Sequence, residues 1–263
     1  MNDLVMGILG NAIRKSTKNA EPNEGDYMEG GLLHCGKCRT QKQKVIELNG
    51  AKVLVGVMCD CQNAEYEAAK AADERQQRYY ATMQRLDWCD IRMNGKREFC
   101  HPRVLQYLEH WEEMLEDGAG LLLWGDVGTG KSTSAAYLAE ALKKRFVPAI
   151  MTNFAQFGDI KTQLPNFNGV DLLVLDDLGA ERQSDFMLER VFEIVDSRAR
   201  SGKPTVYTTN LRLDDLKEPK DLKYKRLYSR VLERALPVRF LGKDHRKENA
   251  MQTMERARKI FEE

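Results

Sequence analysis

The chain has 263 residues, enough for one complete α/β domain and a smaller module. Its 41 Lys and Arg residues nearly balance 40 Asp and Glu residues, so any nucleic-acid surface must come from local clustering rather than bulk charge. No apolar run approaches the ~20 residues that cross a bilayer, and no basic residue precedes the short N-terminal apolar stretch, which argues against a membrane span and a secretory signal. We therefore expect a cytoplasmic protein whose six cysteines are reduced, which favours metal binding over disulfides.

Residues 1–30 are predicted to form an apolar helix followed by a flexible linker. The apolar side chains Leu4, Val5, Ile8 and Leu9 recur at helical spacing, and a polar stretch containing Gly and Asn follows them. Because so short a helix is marginal in isolation, we expect it to dock either in a groove on a partner or against its own domain.

Residues 31–61 are predicted to form a small zinc-ribbon-like module. The pairs CGKC at 35–38 and CDC at 59–61 flank two apolar segments joined by Asn49-Gly50, a strong signal for a tight hairpin turn. A hairpin there brings the two pairs side by side. Four thiolates can then complete a tetrahedral Zn²⁺ shell, a structural site with no open position. The predicted ligands are Cys35, Cys38, Cys59 and Cys61.

Alternatives stay open for these cysteines. His34 is an alternative ligand, because the CDC spacing is tighter than CxxC. Free buried thiols are the second alternative. Cys89 and Cys100 do not lie at the spacing of a metal-binding cysteine pair, and we expect them to be ordinary interior or surface residues.

After the cysteines, the chain predicts a connecting helix and then one α/β domain. Residues 62–87 are rich in Ala and charge and show no wide apolar face, as in an exposed connecting helix. Residues 88–250 alternate strand and helix, which implies a parallel sheet covered on both faces. Candidate strands are 121–124, 147–152, 171–175, 204–209 and 238–241; candidate helices are 104–115, 131–145, 184–200 and 223–235; residues 251–263 form a helical tail.

The run GDVGTGKS at 125–132 predicts the phosphate-binding loop of a nucleotide site. It follows the strand-like run LLLW and matches the pattern Gly-x4-Gly-Lys-Ser in every defining position. Lys131 can reach the β and γ phosphates, and the Ser132 hydroxyl can ligate Mg²⁺. A Gly-rich strand-to-helix turn without nucleotide is the alternative. The predicted contacts are Gly125, Asp126, Val127, Gly128, Thr129, Gly130, Lys131, Ser132 and Thr133.

Polar residues that follow two later strands complete the predicted site. The run DLLVLDDLG at 171–179 ends an apolar strand in Asp176 and Asp177, at the sheet edge where ligands gather in α/β folds. The first carboxylate suits Mg²⁺, and the second can orient or deprotonate a water. Asn210 ends KPTVYTTN and could hold that water. The alternatives are ordinary loop acids and a turn residue.

The ordered runs GDVGTGKS, LLVLDDLGAE, SRARSGKPTVYTTNL and RLYSRVLE resemble AAA+ ATPases of the DnaC/IstB type, in particular DnaC-like helicase loaders of phages and Gram-positive bacteria. The resemblance covers about residues 105–246. It implies an α/β AAA+ P-loop domain with a five-stranded parallel sheet whose phosphate-loop strand is central. A small zinc module and a connecting helix precede that domain. Assembly into a ring or spiral, with ATP bound between subunits, is also implied.

The resemblance assigns catalytic and binding roles to matching positions. Lys131, Ser132, Asp176 and Asp177 take the nucleotide and Mg²⁺ roles, and Asn210 takes the sensor role. Because Asp177 stands where many relatives have Glu, its reach to the water is shorter and hydrolysis is expected to be slow.

Three arginines have counterparts in the resemblance. Arg230 matches the arginine finger offered to a neighbour's γ-phosphate, with Arg226 as the second candidate and a solvated helix arginine as the alternative. Arg246, in GKDHR, resembles a late nucleotide-contacting arginine of the pattern GxSYR, although the departure from SYR leaves that role open.

The function implied by the resemblance is ATP-dependent loading of a DnaB-type replicative helicase hexamer onto single-stranded DNA. ATP, Mg²⁺ and Zn²⁺ are the expected cofactors, and self-association is expected. A transposition helper ATPase of the IstB type is one alternative. A nucleotide-switched binding protein with little hydrolysis is the other.

Overall fold

The computed structural model describes residues 22–48, 50–86, 90–91, 95–153, 160–179 and 185–261. The chain divides into two compact units, Met1–Glu74 and Arg75–Glu263. Among the described residues, no helix combines the length and apolar character that crossing a bilayer requires. Several predicted features lie outside the described part: Leu4, Val5, Ile8, Leu9, Asn49, Cys89 and the side chain of Arg246.

The first unit contains two antiparallel hairpins. Strands β1 (Tyr27–Glu29) and β2 (Leu32–His34) form one, and β3 (Gln43–Leu48) and β4 (Ala51–Gly56) form the other. The pairing of Leu48 with Ala51 leaves a two-residue turn, in which Gly50 has φ 79°. The predicted hairpin is therefore present. Helix α1 (Asp60–Gln84) begins directly after the hairpin and continues into the second unit.

This small unit contains a buried ion pair. Lys42 Nζ lies 2.5 Å from Asp26 Oδ2, and both side chains are almost fully enclosed. The Asp26 carboxylate also accepts the backbone N–H groups of Asn23 and Gly36. The Lys42 ammonium and these N–H groups lower the pKa of Asp26 to about 2, so the carboxylate stays charged at neutral pH.

The second unit is built on five parallel strands in the order β6-β7-β8-β5-β9. The predicted five-stranded α/β fold is thereby confirmed. Strand β5, which precedes the phosphate loop, is an inner strand between β8 and β9, whereas β8 holds the middle position. The strands are β5 (Gly120–Gly125), β6 (Ala149–Asn153), β7 (Leu172–Leu178), β8 (Thr205–Thr209) and β9 (Ala235–Phe240).

Eight α-helices follow in the described part of this unit, and all but the last contribute described side chains to two apolar clusters. They are α2 (Pro102–Glu109), α3 (Trp111–Asp117), α4 (Lys131–Lys143), α5 (Ile160–Gly169), α6 (Asp185–Ser201), α7 (Leu213–Lys217), α8 (Leu222–Arg234) and α9 (His245–Phe261). The single helix predicted over 104–115 is two helices that meet at His110, whose φ of −100° and ψ of 28° interrupt the helical path. Helix α5 was not predicted, since its interior Pro165 is a helix-breaking signal.

Arg198, on α6, forms hydrogen bonds to several separate segments of the second unit. Its side chain is 1% exposed, and burial lowers its pKa to about 10, which still leaves it charged at neutral pH. The guanidinium donates five hydrogen bonds, to the carbonyl oxygens of Phe167, Val170, Asp171 and Pro204 and to the hydroxyl of Thr205.

Replacing Arg198 by methionine is expected to lower the free energy of unfolding by about 3–5 kcal/mol, because it leaves buried oxygen atoms without a donor. Urea unfolding measures the change. Arg200→Met is the matched control, because Arg200 lies on the same helix, is exposed, and forms an ion pair with Asp196 one turn earlier. The control should change stability by less than about 1 kcal/mol. An equally small loss for Arg198→Met would contradict the structural role.

Candidate functional site

The loop between β5 and α4 has backbone conformations that require glycine. Gly125 and Gly128 have φ of 142° and 81°. A Cβ on Gly125 would lie 2.3 Å from the Phe240 carbonyl oxygen, and one on Gly128 would lie 1.8 Å from Asp244 Oδ1. Neither position has room for a side chain. The pattern GDVGTGKS is therefore explained by local sterics as well as by ligand chemistry.

Lys131 folds back onto this loop. Its side chain is buried, and Nζ donates to the carbonyl oxygens of Gly125 at 2.9 Å and Asp126 at 2.7 Å. The Thr129 hydroxyl also donates to the Asp126 carbonyl, at 2.8 Å. The two carbonyl oxygens hold the ammonium beside the loop. Phosphate oxygens could replace these carbonyl oxygens as hydrogen-bond acceptors.

A cavity of about 840 Å³ brings the phosphate loop and the strand ends together. Of the predicted residues, Asp176 and Asp177 from β7 and Asn210 from the end of β8 face the cavity. Gly125 and Asp126 form the start of the loop and are not part of the lining. The predicted loop residues that line it are Val127, Gly128, Thr129, Gly130, Lys131, Ser132 and Thr133.

The polar groups at the end of β7 are connected to β8. Asp176 is half-buried and Asp177 is exposed. The Asn210 side-chain amide donates to Asp177 Oδ1 at 3.2 Å. A hydroxyl (Ser132) and a carboxylate (Asp176) in one cavity are hard oxygen donors of the kind that Mg²⁺ prefers, so the donor set fits that ion.

The sequence-based prediction missed one side of the cavity, which is formed mostly by aromatic side chains. Phe99, Cys100, His101 and Phe240 line it, and the His101 ring lies 4.6 Å from the Phe240 ring. His101 Nδ1 accepts the Arg103 N–H as the cap of α2. Burial lowers the pKa of His101, which favours the neutral ring at neutral pH. The local signal was His-Pro at a helix start, which predicts a cap but no contact with a strand far along the chain.

The predicted arginine finger lies outside the cavity of its own chain. On α8, Arg230 pairs with Glu233 at 2.8 Å and with Asp196 at 3.2 Å, and its side chain is 46% exposed. Arg226 stacks on the Phe192 ring at 5.0 Å. Neither arginine lines the cavity.

In the first unit, four cysteine sulfurs converge. Those of Cys35, Cys38, Cys59 and Cys61 all lie within 4.8 Å of one another. The Cys35–Cys61 distance is 3.7 Å and the Cys59–Cys61 distance is 3.3 Å. Tetrahedral zinc with Zn–S bonds of about 2.3 Å needs sulfurs roughly 3.8 Å apart. The geometry therefore fits a structural zinc ion.

Hydrogen bonds favour the thiolate at two of the four cysteines, whereas burial raises the pKa of Cys59. The backbone N–H groups of Cys38 and Lys37 lower the pKa of Cys35, and the Thr40 hydroxyl with nearby N–H groups lowers that of Cys38 to about 5. The neighbouring Cys59 sulfur raises the pKa of Cys61 to about 12. Crowded thiolates resist further ionisation, and a bound dication would remove that repulsion.

His34 is engaged elsewhere. Its Nδ1 donates to the Leu32 carbonyl at 3.1 Å, and its ring stacks on Tyr27. The ligand group found among the described residues comprises the four cysteines and not His34. Cys100, in the second unit, lies apart from this group, and burial raises its pKa to about 11.

Comparison with known proteins shows sequence similarity to helicase loaders. The replicative helicase loader DnaC of Escherichia coli strain K12 is 29% identical over an alignment of 140 residues that covers 49% of this chain and 54% of DnaC. The phage-like element PBSX protein XkdC of Bacillus subtilis strain 168 is 24% identical over an alignment of 202 residues that covers 69% of this chain and 73% of XkdC. The chain is DnaC-like in sequence. No family model matches it.

The chain spans about half the length of the curated DnaC proteins it matches. Among solved structures, that of DnaI is 25% identical with a TM-score of 0.46, covering 59% of this chain and 87% of that one. The DnaC helicase loader structure is 24% identical with a TM-score of 0.44, covering 57% of this chain and 94% of that one. The described residues of this chain form a five-stranded parallel sheet in the order β6-β7-β8-β5-β9.

Proposed function

We propose that the chain is an ATP-dependent loader of a replicative DNA helicase, acting in the cytoplasm as an oligomeric AAA+ ATPase on single-stranded DNA. One observation carries the proposal: the phosphate loop, the Asp176–Asp177 pair and Asn210 share one cavity. Sequence similarity to DnaC proteins supports the choice of a helicase loader among nucleotide-dependent functions.

In the proposed reaction the chain positions ATP and an attacking water. The loop N–H groups hold the phosphates, and Lys131 exchanges its loop carbonyls for phosphate oxygens. Ser132 and Asp176 would hold Mg²⁺, which neutralises charge on the phosphates when bound. Asp177 orients the water and accepts its proton, and Asn210 fixes the carboxylate of Asp177 through the 3.2 Å hydrogen bond.

The proposal also assigns roles to two arginines, the zinc ion and the partner. Arg230 serves the nucleotide of a neighbouring subunit, since it does not line the cavity of its own chain. Arg246, which lies in the first turn of α9, remains a candidate nucleotide contact. The proposed zinc ion is structural, and the partner is a DnaB-type hexamer.

A second candidate function is a nucleotide-switched binding protein with little turnover. The observation that favours it is the short side chain at Asp177, which is already bonded to Asn210. Steady-state turnover with and without single-stranded DNA separates the two, because a switch binds ATP without sustained hydrolysis.

The loader proposal predicts a specific partner. Immobilised protein with ATP and Mg²⁺ should enrich a replicative hexameric helicase from a host extract, as measured by mass spectrometry. Lys131→Ala, which removes the phosphate-binding cation, is the matched control and should retain less helicase. Enrichment of a transposase in place of a helicase would favour the IstB-type alternative. Recovery of neither, by protein that binds ATP, would contradict the loader proposal.

A further inference from the structure

Strand β7 carries a bulge at the two carboxylates. Leu175 pairs with Tyr207 and Leu178 pairs with Thr209, so Asp176 and Asp177 together face the single residue Thr208. Asp177 adopts a left-handed φ of 65°, which is uncommon for a residue other than glycine. The extra residue is therefore accommodated by a local distortion of the strand at the proposed catalytic position.

The bulge determines where the carboxylates point. In a regular strand, successive side chains project from opposite faces of the sheet. Here Asp176 and Asp177 line the same cavity. The distortion also takes the Asp177 N–H out of the regular ladder, and such a backbone donor needs another partner.

Thr208 supplies that partner. Its hydroxyl oxygen accepts the Asp177 N–H at 2.9 Å and lies 2.6 Å from Asp176 Oδ1. Because an N–H can only donate, the hydroxyl proton is left to donate to the Asp176 carboxylate. Thr208 is 2% exposed and lines the same cavity as Asp176 and Asp177. One hydroxyl thus fixes the backbone of one carboxylate residue and the side chain of the other.

We propose that Thr208 is a positioning residue for nucleotide hydrolysis: it holds the bulge so that Asp176 faces the metal position and Asp177 faces the water. The proposal rests on the proposed ATPase function. Thr208 acts through the two aspartates, and its hydroxyl is already committed to them by the two short hydrogen bonds.

The test compares Thr208→Val with Thr208→Ser. A fluorescent, non-hydrolysable ATP analogue is titrated at a series of Mg²⁺ concentrations. Valine keeps the shape and removes both hydrogen bonds, so the Mg²⁺ concentration for half-maximal binding should rise about 10- to 100-fold. The kcat should fall while the KM for ATP at saturating Mg²⁺ changes little. Serine retains the hydroxyl, so the Mg²⁺ concentration for half-maximal binding should stay within about threefold of the wild-type value.

Thr209→Val is the matched control. The Thr209 hydroxyl is also buried and bonds to β7, but to the Leu178 carbonyl rather than to a carboxylate. Its loss should lower stability without shifting the Mg²⁺ requirement. If Thr208→Val does not fold, Thr208→Ala is compared with Thr208→Ser, because this pair isolates the hydroxyl.

Hydrogen exchange at the Asp177 amide, in protein without nucleotide, provides an independent readout. Exchange should accelerate in Thr208→Val and stay near wild type in Thr208→Ser. Unchanged exchange and an unchanged Mg²⁺ requirement in folded Thr208→Val would overturn the positioning role. Failure of the wild type to bind the analogue would instead reject the proposed ATPase, and the exchange comparison would still decide whether Thr208 holds the bulge.

Discussion

Arg230→Ala is expected to bind ATP with wild-type affinity and to hydrolyse it about 10³- to 10⁵-fold more slowly. Arg230 does not line the cavity of its own chain, so ATP binding should not depend on it. Its side chain is 46% exposed on α8, where it pairs with Asp196 and Glu233 and where a neighbouring subunit could reach it. A guanidinium that meets the γ-phosphate of a neighbour stabilises charge on the transferring phosphoryl group.

Mixing two inactive variants tests whether Arg230 acts across subunits. Lys131→Ala loses ATP binding but keeps its finger, whereas Arg230→Ala binds ATP and lacks the finger. Partial recovery of hydrolysis in the mixture is therefore expected. Lys225→Ala is the matched control, since Lys225 is an exposed cation on the same helix. Normal hydrolysis by Arg230→Ala alone, with no effect of mixing, would remove the arginine from the mechanism.

Removing zinc should unfold residues 30–61 and leave ATP binding largely intact. The segment contributes few buried apolar side chains, among them Leu33, Cys35 and Cys59, so metal bonds must supply much of its stability. Zinc bound by structural cysteines is worth on the order of 10 kcal/mol. The cluster and the phosphate loop belong to different compact units, which explains the expected independence.

Metal analysis and circular dichroism measure this effect. Purified protein should contain about one zinc per chain, and Cys35→Ser should lose it. Cys100→Ser is the matched control, because Cys100 is a thiol outside the cluster and should leave the zinc content unchanged. A protein that contains no zinc and yet remains folded over this segment would contradict the assignment of a structural zinc site.

Features encoded by neighbouring residues could be predicted from the sequence. The phosphate loop depends on glycines within six positions, and the β3–β4 hairpin depends on a two-residue turn. Both signals are local: the structure contains the hairpin, and the loop glycines adopt positive φ, while phosphate binding by this loop stays a prediction. The five-stranded sheet followed from the alternation of apolar runs and helical segments.

Features that depend on distant contacts could not be predicted. Arg198 appears in SRARSGKP as one of several basic residues, yet its carbonyl partners include Phe167, 31 residues earlier. The bulge at Asp177 depends on Thr208, again 31 residues away. The pair Asp176-Asp177 in the sequence predicted acidic ligands. The sequence spacing does not show that the Thr208 hydroxyl orients them.

The contact between the phosphate loop and the start of α9 has a consequence for the order of folding. The His245 N–H donates to the Gly128 carbonyl at 3.0 Å, and Asp244 packs against Gly128. The sequence numbers of Gly128 and His245 differ by 117, so this loop contact closes a long stretch of chain. During synthesis the loop emerges long before its partner. We therefore expect a nascent chain to become able to retain nucleotide only after β9 and the first turn of α9 have left the ribosome.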